Sequence, residues 1–361
     1  MTPRLSIIDE TRQGDGTFAP FVPAMSESGT VAYVHRREDG HSEIRIKDPA
    51  RRDGSCVLEA PDEYEFVSHP DLNAAGAVAV YARHESGTTR LLLCDRRGWH
   101  CTERAREPLS GLGPTGPSMN EEGAVAWRAT EGEGRAHIGL WTDSGVRVVA
   151  RDDEDRFASF EGVPMVSGDG SVLFRAVGKQ GEAIIARAHP SRPALEVVAQ
   201  TGDDWSDLSR FPSLSQSGLI AFGATRRSGE PELCFARCGE LLTRVGLSPF
   251  FASIRGAALP GRGTLFFWAT PPGGALGIYR LAQASSDVPA ESLRDRFSLV
   301  LGVGEPLVPM ASGGRSQGAS PGEGSTVREF ALNPVSVNER GAMAVRLATT
   351  DGREFIGRID A

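Results

Sequence analysis

Short apolar runs recur along the chain, and seven of them begin two residues after a glycine. Those glycines are Gly29, Gly76, Gly123, Gly170, Gly218, Gly263 and Gly341. The runs open on Val31, Val78, Val125, Val172, Ile220, Leu265 and Met343. They continue through a mostly small residue (Ala32, Ala79, Ala126, Leu173, Ala221, Phe266, Ala344) to a mostly large one (Tyr33, Val80, Trp127, Phe174, Phe222, Phe267, Val345). Apolar residues at consecutive rather than alternate positions predict strands covered on both faces. Three residues before each glycine stands Ser26, Asn73, Asn120, Ser167, Ser215, Pro260 or Asn338. Asn or Ser at that distance predicts a type I turn whose side chain accepts a backbone hydrogen bond, with the glycine supplying a positive φ.

The glycines are spaced by 47, 47, 47, 48, 45 and 78 residues. About 45 residues is the length of one four-stranded propeller blade. The third unit shows the four strands: PTGPSM (a), GAVAWRA (b), AHIGLWT (c) and VRVVA (d). The expected fold is all-β, a seven-bladed β-propeller with four-stranded blades, in which residues 1–361 form one domain. The last interval exceeds the period by about 31 residues, and the surplus is expected in a Gly-, Ser- and Pro-rich loop at 303–329. After Gly341 only GAMAVRL and REFIGRID remain, strands b and c of the last blade. RLSII near the N-terminus has no partner in its own unit, so residues 4–8 are expected to supply strand d of blade seven and close the ring.

Charge narrows the partners. The formal net charge is -8, and the longest like-charged block is Asp152, Asp153, Glu154 and Asp155. A chain without a basic face is not expected to bind nucleic acid or an anionic membrane. The N-terminal MTPRLSIIDE lacks the apolar stretch of a secretory signal, and no segment approaches the roughly 18 apolar residues of a membrane span. Five cysteines, an odd number, point to reduced thiols and a cytoplasmic protein. Lys47 and Lys179 are the only lysines among 39 basic residues, a bias that fits a GC-rich bacterial genome.

The segments NAAGAVAVYA, NEEGAVAWRA and SGDGSVLFRA resemble the bacterial tandem repeats that read N-x-x-G-x-V-A-F. Such repeats occur in propeller-like proteins and in the C-terminal propeller of cylindrocyclophane-forming alkylating enzymes. VVAQTGDD and LVLGVGEP are similar to the inter-blade segment of that group. The resemblance spans nearly the whole chain and implies the propeller architecture. No counterpart of the calcium-binding domain that precedes the propeller in the alkylating enzymes is expected within residues 1–361.

Strand parity places the N-x-x-G turns and the c–d turns on one face, and the d–a connections and b–c turns on the other. The second face varies in length and composition, and variable loops are where repeat folds tend to carry function. Phe160, Phe211 and Phe251 occupy a recurring position before strand a and read as blade-to-blade packing. Arg128, Arg175 and Arg346 share one repeat position, where ion pairs between blades and a binding site explain them equally well. The residues that break the repeat are more informative. Tyr64, His69, Glu161, Arg210 and Arg255, with Trp205, have no equivalents of like type in most units. An Arg or Tyr can hold a leaving group, and a carboxylate or His can take a proton, His69 near neutral pH.

No G-x-S-x-G, P-loop or H-E-x-x-H motif is present, and no cofactor or metal site is expected. Cys94 with Cys101, and Cys234 with Cys238, flank c–d turns but do not make a four-ligand zinc site. Asp203, Asp204 and Asp207 lack calcium-loop spacing. The expected function is binding of a small-molecule ligand or a protein partner on the d–a face, by a monomeric chain. The alternative is a cofactor-independent enzyme of bacterial specialised metabolism, of the alkylation or cyclisation type, working in natural product biosynthesis.

Overall fold

The computed structural model describes residues 4–12, 14–48, 55–59, 61–66, 68–95, 98–101, 115–130, 135–152, 156–202, 204–240, 242–261, 264–282, 296–307 and 325–360. Every residue of the seven apolar runs is buried, from Val31–Tyr33 to Met343–Val345. Each run forms strand b of a four-stranded antiparallel sheet, between strands a and c, and seven such sheets make the ring of a seven-bladed propeller. A strand so placed packs against the blades on both sides, which is why its apolar residues are consecutive. Burying each large side chain there contributes about 1.5–3 kcal/mol.

The turns explain the preference for asparagine. Gly76, Gly123 and Gly341 sit at φ of 83°, 85° and 82°, and their N–H groups donate to the carbonyls of Asn73, Asn120 and Asn338. Each asparagine Oδ1 accepts from the backbone four residues on, at Ala77, Ala124 and Ala342. The amide of Asn120 also donates to the Ser167 carbonyl (2.9 Å), and that of Asn338 to the Ser26 carbonyl (3.2 Å), each in the next blade. A serine can make the first bond but is too short for the second. Gly263, the seventh repeat glycine, lies outside the described residues.

In two blades strand a is split in two, whereas in blade four it runs unbroken through Pro164. In blade two it comprises Tyr64–Phe66 and Asp71–Leu72, and in blade five Trp205–Leu208 and Ser213–Leu214. Pro70 and Pro212 stand at the breaks, where a missing N–H cannot continue the ladder.

The N-terminal strand Arg4–Thr11 pairs with Glu354–Asp360 and completes blade seven. It runs beyond residues 4–8, with a register shift at Ile8. The extension brings Asp9 to blade one, where it accepts from the Tyr33 hydroxyl (2.5 Å) and Arg45 Nη1 (2.9 Å). Arg45 also donates to Glu43 (2.6 Å), which meets His35 Nδ1 (3.2 Å). The ring is thus closed by backbone pairing inside blade seven and latched to blade one by a half-buried ionic network.

The surplus after blade five lies in two places, not only at 303–329. Residues 282–296 separate strands c (Gly277–Leu281) and d (Phe297–Gly302) of blade six, and strand a of blade seven already begins at Val327. The ends of the second segment pair with each other: Gly304 N–H donates to the Val327 carbonyl, Val327 N–H to Glu305, and Leu307 N–H to Ser325. Residues 283–295 and 308–324 lie outside the described residues.

Candidate functional site

The seven blades surround a central channel lined by residues of every blade. A 3₁₀ turn at Pro334–Ser336, in blade seven, enters it. Its Val335 packs in a core shared with Phe21, Leu72, Met165 and Leu214 of blades one, two, four and five. The Ser336 hydroxyl donates to the Pro23 carbonyl (2.6 Å), and Asn333 reaches His69 of blade two (2.8 Å).

At the end carrying the N-x-x-G turns, the residue after the repeat Asn or Ser reaches across the channel mouth in four blades. Glu27, Glu121, Gln216 and Glu339 occupy that position in blades one, three, five and seven. Glu339 accepts from Ser217 N–H (3.0 Å), Glu27 from Glu339 N–H (2.8 Å), and Glu121 from Ala74 N–H (2.7 Å) and Glu27 N–H (3.4 Å). Gln216 Oε1 accepts from Glu121 N–H (3.4 Å). These side chains bind backbone donors of other blades, so their oxygens are committed to a belt across the mouth. Burial raises the pKa of Glu27 above the usual carboxylate range; the Glu339 N–H opposes this, and the charges of Glu339 and Glu121 add to it. The cavity beneath the belt measures only about 60 Å³. Asp71 lines it, wholly buried, accepting from Leu72 N–H (2.8 Å) and Met119 N–H (2.6 Å). Burial outweighs both bonds and pushes its pKa up to about 8.

The opposite face is open. A cleft of about 610 Å³ lies between blades one and two, bounded by the d–a segment Pro61–Glu65 and by the b–c turns around Asp39 and Glu85. Its charged lining is mainly acidic: Asp39, Glu43, Asp62, Glu63, Glu65 and Glu85 against Arg37 and Arg83. A second depression of about 550 Å³ lies where the N-terminal strand leads into blade one, above His35 and Arg45.

The five sequence-derived residues separate accordingly. Tyr64 lines the larger cleft, its hydroxyl accepting from Arg90 Nη1 (2.9 Å) and its ring edge-on to His84 at 5.1 Å. His69 is in the core: its Nε2 accepts from Gly116 N–H (2.8 Å) and the Asn333 amide. Burial lowers its pKa to about 4, against a smaller opposing hydrogen bond with the Pro70 backbone. Glu161 pairs with Arg175, directly opposite it on strand b of blade four. Arg210 is exposed at the channel side of blade five, and exposed Arg255 is the bulge residue of strand a in blade six. Glu161 and Arg210 come together, Arg255 stands in the adjoining blade, and Tyr64 and His69 are elsewhere.

Comparison with known proteins bears on the fold. No family model matches the chain, and no curated protein matches it in sequence. Among solved structures it is similar to the polysaccharide lyase Uly1, at 9% identity, 95% of this chain, 90% of that one and a TM-score of 0.54. The WD40 domain of SCAP from fission yeast is similar at 12% identity, over 99% and 98% of the two chains, with a TM-score of 0.50. A puromycin hydrolase mutant matches at 16% identity and a TM-score of 0.53, over 78% of this chain but only 45% of its own. At such identities the likeness shows a propeller and nothing of its chemistry.

Within this propeller the repeated position on strand b serves the joints between blades. The Tyr81 hydroxyl accepts from Arg128 N–H (3.1 Å), Arg128 Nη1 donates to the Phe160 carbonyl (2.7 Å), and Arg175 Nε donates to the Leu208 carbonyl (3.3 Å). Arg346 instead meets Glu329 (3.2 Å) and Glu354 (3.5 Å) of its own blade. Phe160 and Phe251 are buried in two of the hydrophobic clusters. Cys56, Cys94, Cys234 and Cys238 are free thiols, and the side chain of Cys101 lies outside the described residues. Among the described residues no group of three or more His, Cys, Asp or Glu could hold a metal ion, and no helix is long and apolar enough to cross a membrane. Asp203 is not among them.

The carboxylate belt escaped the sequence reading, although Glu27, Glu121, Gln216 and Glu339 share one repeat position. That shared position was the available signal. Ala74, Gly168 and Gly261 at the same place hid it.

Proposed function

We propose that this propeller is a binding module that takes a small-molecule ligand or a protein partner on the face of the d–a connections and b–c turns. The contrast between its two faces carries the reading. The turn face offers about 60 Å³ behind a belt of committed side chains, whereas the other face offers clefts of about 610 and 550 Å³. Small-molecule sites usually measure about 300–1,000 Å³. Tyr64, Glu161, Arg210 and Arg255 stand on the open face as candidate contacts, and His69 becomes a joint between blades two, three and seven. The reading treats residues 1–361 as one domain and the chain as a monomer. A cofactor-independent enzyme of the alkylation or cyclisation type is the weaker reading. It needs an accessible base, and His69 is buried while Glu161 is tied to Arg175.

A thermal-shift screen of metabolites tests the proposal, since a ligand of the native state raises the melting temperature by mass action. Amide hydrogen exchange with a hit bound should protect Pro61–Glu65 and the adjoining b–c turns, or the strand a segments around Glu161, Arg210 and Arg255. Protection confined to the turns around Glu27, Glu121 and Glu339 would overturn it.

A further inference from the structure

On the face of the d–a connections, strands a and b of blades three to six carry more positive charge than their surroundings neutralise. Strands a of neighbouring blades approach each other closely there. Phe211 makes a parallel bridge to Gly256, and a Cβ on Gly162 would stand 2.2 Å from the Arg210 carbonyl oxygen. Glu161, Arg210 and Arg255 each directly precede one of these contact residues. They therefore form a row across blades four, five and six.

Behind the row stand Arg128 and Arg175, which cannot swing away because each is bonded to a backbone carbonyl of the next blade. Burial lowers the proton affinity of both guanidiniums, and the charge of Arg210 lowers it further. Arg175 has Glu161 and, at 3.7 Å, the exposed Asp207 as partners. Arg210 and Arg255 make no ion pair with any described residue. Of these four guanidiniums only that of Arg175 is paired with carboxylates of the described residues, in a chain whose net charge is -8. Converging like charges oppose folding, and local violations of this kind concentrate at functional sites.

We propose that Arg210 and Arg255 form an anion site on the open face, holding a carboxylate or phosphate group of the ligand, with Arg128 and Arg175 fixed behind it. A planar guanidinium presents paired donors that match either oxyanion, and two from adjacent strands can grip one group together. Glu161, held by Arg175, keeps that arginine from collapsing onto the anion and leaves the outer pair to bind it. The site deepens the binding reading above and rests on it.

Isothermal titration calorimetry provides the test, with inorganic phosphate and succinate as probes and ionic strength held constant with sodium chloride. The wild-type protein should bind at least one probe saturably, and which one binds tells the phosphate source from the carboxylate source. The double variant Arg210→Ala/Arg255→Ala should raise Kd at least about tenfold, the expected loss for one charge-assisted hydrogen bond. Arg237→Ala, at the turn face, should leave Kd unchanged. Both row arginines are exposed, so the double variant should melt as wild type does. No saturable binding of either probe, or equal affinity in the double variant, overturns the anion site. A screened ligand that maps to the Tyr64 cleft would leave the open-face reading standing while the anion site fell. One that maps to the turn face would remove both.

Discussion

Replacing Asp9 by alanine tests whether the N-terminal strand is latched to blade one as well as paired within blade seven. Asp9 Oδ2 accepts from Tyr33 and Arg45. The Tyr33 side chain is 1% exposed. Burial, and then the neighbouring carboxylate, push its pKa well above the usual tyrosine range, so it remains a donor at any working pH. Asp9→Ala leaves that hydroxyl buried without a partner, at about 1–3 kcal/mol. Arg45 keeps Glu43 but loses its second carboxylate. With its side chain 25% exposed, solvent screening limits that loss to about 1 kcal/mol. The expected destabilisation is about 2–4 kcal/mol in urea unfolding at neutral pH. Tyr33→Phe removes the orphan along with the bond, so Asp9→Ala should be milder by about 1 kcal/mol when made in the Tyr33→Phe variant. A loss below about 0.5 kcal/mol, the range of ordinary surface changes, or full additivity in the double-mutant cycle, would refute the latch.

Asp71 should make stability fall as pH rises. Its folded pKa, about 8, lies above the ordinary 3.8, so the protonated carboxyl favours the fold below that ordinary value and the contribution fades as pH rises through the folded value. Melting temperatures between pH 4 and 8 should show the slope, and Asp71→Asn should flatten it; an unchanged slope would remove Asp71 as its cause. Gly139 lies opposite Trp127 in the sheet of blade three, and a Cβ there would stand 2.3 Å from the indole. Gly139→Ala should cost about 1–3 kcal/mol of stability by overpacking, and a variant that melts like wild type would show that the ring gives way freely. A thiol titration under denaturing, non-reducing conditions should find all five cysteines reduced. In the backbone register Cys94 is paired with Trp99 and Cys101 with Leu92, not with each other. Recovery of three thiols or one would contradict the reduced state.

The blades were legible because each is a local object. Val125, Ala126 and Trp127 lie together in sequence and in strand b, and Asn120 meets Gly123 and Ala124 within one turn. Closure was legible by counting strands, since a sheet short of one strand must find it somewhere. The site was only partly legible. Breaking the repeat marked Tyr64, Arg210 and Arg255, which reach the open face, and also His69, which does not. A sequence gives residue type without depth, and the same imidazole serves a site or a joint according to what covers it.

By itself, then, the sequence determined the seven blades, the strands within each and the strand that closes the ring, because periodicity of apolar residues and turn chemistry act over a few residues. Tertiary structure alone decided which face carries the larger clefts. Glu27 meets Glu339, Asn333 meets His69 and Asp9 meets Tyr33 only after the ring has formed. Such contacts join positions from 24 to 312 residues apart, and no local pattern encodes them. The row of Glu161, Arg210 and Arg255 has the same origin. It exists because closure sets three strands side by side, and the charge gathered there belongs to no one blade.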